Sequence, residues 1–228
     1  MVSSPDPLVG KASQRALIPS SGYETRWHVV CTAARILPVG NSYAFPAFRT
    51  PDVDEALRVV NQLLELADTS QLELDFDIAV TSTRTLTRLL ALLPEADWWC
   101  IDPGQEEQVL SPSSQRGDDP YTSLPIHFQH WCVPPEYLPP ILAAVGSEMA
   151  AIRWDFTAWP AVPELKLDSS GKCAYITVSI NARTIWPDES SPDHTVHIHA
   201  AEFYPERATW LAAQVGLEII GDPEMSAL

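Results

Sequence analysis

The segment Leu72-Glu-Leu-Asp-Phe-Asp-Ile-Ala-Val80 constrains this chain more than any other. Leu72, Leu74, Phe76, Ile78 and Val80 fall on one side of an extended backbone, and Glu73, Asp75 and Asp77 fall on the other. Successive side chains of a strand point to opposite faces, so this period of two predicts a half-buried strand with one apolar and one wet face. A sheet with a polar side needs helices on its apolar side, and the rest of the sequence offers them.

Thr50-Pro51-Asp52 reads as a helix start, with Thr50 as N-cap, Pro51 at the first helical position and an acid in the first turn. Val53, Ala56, Leu57, Val60, Leu63 and Leu64 follow at helical spacing. A second helix is expected from Thr83 to Leu93, a third after Pro139-Pro140 through Met149, and a fourth from Pro205 closed by Gly216. Further strands are expected at 26–36, 97–101, 124–132, 152–156, 164–167, 173–181, 194–203 and 217–221, with a loop carrying Gly40, Asn41 and Pro46, and a hairpin turn at Asp168-Ser-Ser-Gly171. The class is therefore α+β: a mixed, partly antiparallel sheet with helices mainly on one face. The order of elements allows two similar βαβ-containing lobes. The expected organisation is a flexible Ser/Pro/Gly-rich arm (1–22), a first lobe (23–104), an acidic Ser/Pro-rich loop (105–122) and a second lobe (123–228), the lobes also being able to form one continuous domain.

Charge bears on partners. The chain has 228 residues, 30 acidic and 14 basic, for a formal net charge of −16. Such a field repels nucleic acid and anionic membranes and steers a basic partner. Only Lys11, Lys166 and Lys172 are lysines, the other 11 basic residues are arginines, and with 21 prolines this composition suggests a GC-rich, bacterial coding genome. The N-terminus lacks a basic stretch leading into an apolar one, and no apolar run approaches membrane-spanning length, so a cytoplasmic protein is expected. Cys31, Cys100, Cys132 and Cys173 form no CxxC pair, and the expectation is four reduced, buried thiols.

No Gly-x-Ser-x-Gly elbow, phosphate-binding glycine loop or HExxH helix is present, so no catalytic residue is assigned and no cofactor is expected. His197-Ile-His199 puts two imidazoles on one strand face, where they could hold a metal with a third ligand from His194, Glu202, Asp155 or the 73–77 trio; the plainer alternative is two histidines on a wet face. His127 and His130 point to opposite faces and cannot easily share an ion. If the strands are neighbours, Glu73, Asp75, Asp77, Arg153, Asp155, Tyr175, Thr177, Ser179, His197 and His199 share one polar surface.

Two functions from different classes fit. The first is an acidic binding protein of the immunity or inhibitor type, neutralising a basic protein such as a toxin. Its candidate contacts are Glu73, Asp75, Asp77, Glu106, Glu107, Asp118, Asp119 and Asp155. The alternative is a metal-dependent or phosphoester-acting enzyme using the His197/His199 face.

Overall fold

The computed structural model describes residues 42–100, 119–185, 187, 189–201 and 204–226. The expected N-terminal arm, the strand at 26–36 and most of the 105–122 loop lie outside them. The described strands are β1 (Ser42–Thr50), β2 (Glu73–Val80), β3 (Asp97–Cys100), β4 (Ile126–Val133), β5 (Met149–Asp155), β6 (Tyr175–Ile180), β7 (His194–Ala201) and β8 (Glu224–Ser226). The helices are α1 (Val53–Leu64), α2 (Thr83–Leu92), α3 (Leu138–Val145) and α4 (Pro205–Gln214). The strands join one sheet in the order β3-β4-β2-β5-β6-β7-β1-β8, antiparallel at every pairing. The architecture is thus mixed α+β, with β2 from the first half of the chain inserted between β4 and β5 and β1 between β7 and β8.

One side of the sheet is the core. Leu74, Phe76 and Ile78 pair with Trp154, Ile152 and Ala150; those face Ile176, Val178 and Ile180, which lead on to Ile198 and Val196. Buried residues of all four helices join the same cluster: Ala56, Val60 and Leu63 of α1, Leu86 and Leu89 of α2, Ile141 and Val145 of α3, and Ala208 and Leu211 of α4. The helices therefore cover one face, driven by removal of apolar surface from water. Trp98 and Trp154 are buried in this core, while Trp99 and Trp131 are half-buried. Buried Arg207 clamps the 156–173 connection by donating to Pro160 O and Asp168 O, both at 2.6 Å.

Several local expectations are corrected. Pro46 lies inside β1, at a bulge between Pro46 and Phe48, where the missing N–H interrupts no regular ladder. The α1 cap is Asp52, whose carboxylate accepts from the backbone N–H of Asp54 at 2.9 Å and Glu55 at 3.4 Å. Thr50 precedes a proline, which keeps it extended as the end of β1, and its hydroxyl donates to Glu55 Oε2 at 2.7 Å. The third helix holds Pro139 and Pro140 in its first turn and stops at Gly146, whose φ of 58° ends it, so Met149 opens β5 instead. Residues 164–167 are not a strand: Pro163–Leu165 form a 3-10 turn and Lys166 takes a left-handed conformation, leaving a single bridge between Val162 and Leu167. Residues 217–221 make no ladder either. Ile220 N–H bonds Pro46 O at 2.8 Å, but Pro46 has no N–H to return, and β8 pairs with β1 further on. Cys173 is a free buried thiol, but Cys132 is disulfide-bonded, against the expectation that all four are reduced; spacing along the chain does not report which sulfurs meet in space.

Candidate functional site

The other side of the sheet carries the polar residues in register. One row runs Glu73–Asp155–Tyr175, a second Asp75–Arg153–Thr177–His197, and a third Asp77–Ala151–Ser179–Thr195. On β4, Gln129 pairs with Asp77 and His127 with Ala79, extending the surface toward β3. The polar surface anticipated from alternation is therefore brought together on four adjacent strands.

These groups bind one another. Arg153 pairs with Asp75 through Nη2 and with Asp155 Oδ2 through both Nη2 (2.9 Å) and Nε (3.1 Å). Its guanidinium lies over the Tyr175 ring, 5.1 Å from the centroid. The second Asp75 oxygen accepts from Cys132 N–H at 2.8 Å. Asp77 meets His127 Nδ1 at 3.1 Å and accepts from Gln129 Nε2 at 2.7 Å, while Trp99 stacks on the His127 ring. Asp75, Asp77 and Asp155 are thus each held by named partners rather than standing free in solvent.

Burial and neighbouring charge shape the titration of the cluster. Burial pushes the Asp155 carboxyl up to about 7; Arg153 pulls it down and Asp75 pushes it further up. Burial would lower Arg153, but Asp155 and Asp75 outweigh it and hold the guanidinium above its ordinary range. Tyr175 rises to about 12, chiefly through burial. Glu73 is raised by burial and by Asp75.

His197 and His199 do share a face, but it is not wet there: both are 0% exposed. His199 is fully engaged, with Nδ1 3.2 Å from Ser42 Oγ, Nε2 2.9 Å from Thr177 Oγ1 and its ring edge-on to Tyr175. Burial, with His197 and Arg153 nearby, holds it well below the ordinary imidazole range. Neither ring nitrogen of His197 has a hydrogen-bond partner among the described residues; Glu224 Oε1 lies 3.5 Å from Nε2. Burial raises Glu224, but His197 and the Ile185 N–H, which donates at 2.8 Å, outweigh it and leave the carboxyl below its usual range. Among the described residues no three His, Cys, Asp or Glu side chains are placed to hold a metal ion. His194 points elsewhere, accepting from Asn181 N–H at 3.0 Å, and Glu202 lies outside the described residues.

Over this face lies a cavity of about 590 Å³. Asp75, Asp77, Gln129 and Trp131 line it from β2 and β4, Arg153 from β5 and Thr177 and Ser179 from β6, and Ile185 and Pro187 add to the lining. Ala79 and Ala151 leave the floor low between them. Ser179 is 1% exposed and its hydroxyl has no partner among the described residues.

Of the remaining predicted contacts, Asp119 is exposed and turns the chain by accepting from Tyr121 N–H at 2.9 Å; Glu106, Glu107 and Asp118 lie outside the described residues. Glu224, Gln129 and the 182–187 loop were not singled out by sequence reasoning. Gln129 could have been found, since it lies two residues from His127 on the same strand face; nothing local marks Glu224 as reaching over β1. No protein-family model, curated protein or solved structure matches this chain.

Proposed function

We propose that the protein is an acidic binding protein of the immunity or inhibitor type, which neutralises a basic protein such as a toxin in the bacterial cytoplasm. The observation that carries this reading is the charge balance on the polar face. Glu73, Asp75, Asp77, Asp155 and Glu224 stand there against Arg49 and Arg153, with Asp75, Asp77 and Arg153 lining an open cavity, in a chain of net charge −16. Arg153 is already committed to two of those carboxylates, so the excess negative charge remains available to an incoming cation. Such a field raises the association rate and selects for cationic partners. The absence of a membrane-length apolar helix among the described residues is consistent with a partner met in solution.

The test begins with affinity capture from the host, and the captured basic protein is then purified and titrated. Its association rate should rise about tenfold or more as ionic strength falls from 300 to 30 mM, and charge reversal at exposed Asp119 together with Glu73 should lower it. A rate indifferent to both salt and charge reversal overturns the reading.

Two observations favour the enzyme alternative: His197 is buried beside Glu224 with no hydrogen-bond partner for its ring nitrogens among the described residues, and burial pushes the Asp155 carboxyl up to about 7, in the range where acid–base groups often work. Elemental analysis of the purified protein separates the two. Stoichiometric metal that is lost from a variant without His197 and His199 supports the enzyme; its absence alongside a basic partner supports the binding protein.

A further inference from the structure

The third row of the polar face has an unusual composition. Asp77 and Ser179 flank Ala151, and two strand spacings put them about 10 Å apart with only the Ala151 methyl between them in that row. The cavity opens above that methyl. At its Asp77 end, no lysine or arginine among the described residues lies within ion-pair distance of the carboxylate, whose partners are the Gln129 amide and the His127 ring. The indole of Trp131 lines the same end. At the other end Ser179 lines the cavity, and its hydroxyl is buried without a partner among the described residues. A buried hydroxyl without a partner costs free energy, and such groups are retained where a ligand completes them.

We infer that this trough receives one arginine or lysine side chain of the basic partner, its cationic head against Asp77 and Trp131 and its backbone amide against Ser179. This rests on the reading of the protein as a binder of basic proteins and names the point of entry. An extended arginine carries its guanidinium and its backbone amide far enough apart to meet both ends. A carboxylate and an aromatic wall recognise a guanidinium by charge-assisted hydrogen bonding and cation–π contact together. Arg153 does not oppose the cation, because Asp75 and Asp155 already neutralise it.

Calorimetric titration of the full chain with N-acetyl-arginine amide tests this, with N-acetyl-citrulline amide as the neutral isostere at equal ionic strength. The arginine compound should bind at least about tenfold tighter than the citrulline compound, the difference expected for a charged hydrogen bond. Asp77→Asn should erase that preference, and Ser179→Ala should weaken binding by a few-fold while both variants keep the wild-type circular dichroism spectrum. Equal or absent binding of the two compounds by the wild type overturns the inference, as does an Asp77→Asn variant with unchanged preference. A captured basic protein that binds wild type and Asp77→Asn alike removes the trough while leaving the general reading intact. Preference for free L-arginine over the amide, with no basic protein captured, upholds the guanidinium site and removes the protein partner.

Discussion

The two faces of one sheet are built on different physics. The apolar face is a continuous layer in which Phe76, Ile152, Val178 and Val196 line up across four strands and meet helices α1 to α4. Its stabilisation is non-directional and depends on volume. The polar face is almost as enclosed at β6 and β7, yet each of its atoms needs a particular partner: Asp75 needs Arg153, His199 needs Ser42 and Thr177, Asp77 needs Gln129. An error of register on the first face costs contacts, whereas on the second it strands charges. The difference teaches where to look for function. A core leaves nothing unfilled, while the polar face leaves Ser179 Oγ, beside an open cavity, and the His197 nitrogens without hydrogen-bond partners among the described residues.

The comparison is broken most severely from the apolar side. Phe76→Ala removes a fully buried ring and should cost about 3–5 kcal/mol in urea unfolding, equally at pH 5 and pH 8, since no titrating group is touched. On the polar side, Arg153→Met leaves Asp75 and Asp155 uncompensated and should cost about 2–3 kcal/mol at pH 8, less than for a fully buried pair because water reaches part of the cluster. That cost should shrink toward pH 5, as the Asp155 carboxyl left behind takes up a proton. Equal pH dependence in the two variants would erase the distinction drawn between the faces.

The apolar face was readable in advance because alternation is local. The spacing of Leu74, Phe76 and Ile78, and of Ile176, Val178 and Ile180, sets which side each residue takes whatever the neighbouring strand is. The same alternation put Asp75, Arg153, Thr177 and His197 on the opposite side. What it could not supply was the order β4-β2-β5-β6-β7, which decides who bonds whom. Asp75 and Asp77, read as part of a wet strip, are members of separate bonded groups, and two histidines read as wet are buried. Glu224 was out of reach for the same reason: it comes from an edge strand three residues long, 27 positions from the His197 it faces. The misplaced termini at Thr50, Met149 and 217–221 trace to prolines and glycines, whose effect depends on which ladder bond they withhold or which turn they permit.

The two histidines sharpen the contrast within the polar face. His199→Leu should cost about 1–3 kcal/mol, because it leaves the buried Ser42 and Thr177 hydroxyls without partners. His197→Leu, of similar volume, should cost less than His199→Leu, since it removes only the 3.5 Å contact with Glu224 and leaves no buried hydroxyl without a partner. Chemical denaturation of both variants under one buffer checks the pair. A His197→Leu change as costly as His199→Leu would mean that the ring has a further partner in solution, and a harmless His199→Leu would mean that the hydroxyls find other partners.

The smallest effect is expected at Asp155, and its sign is opposite to that of an ordinary ion-paired acid. The folded carboxyl is held up at about 7 by burial, against 3.8 in its absence, so between those values the native state keeps a proton that the unfolded chain has lost. The stabilisation this represents is fully present below pH 3.8 and is lost as pH rises through 7. Asp155→Asn has no such proton to lose. The melting temperature of wild type relative to that variant should therefore fall between pH 4 and pH 7 and stay level above pH 8. The side chain is 30% exposed, so screening reduces the effect to roughly 2–4 °C, the shift that about 1 kcal/mol produces in a chain of this size. A relative melting temperature that instead rises with pH across that window would mean that Arg153 dominates over burial, and that Asp155 belongs with the ordinary ion pairs of the protein surface.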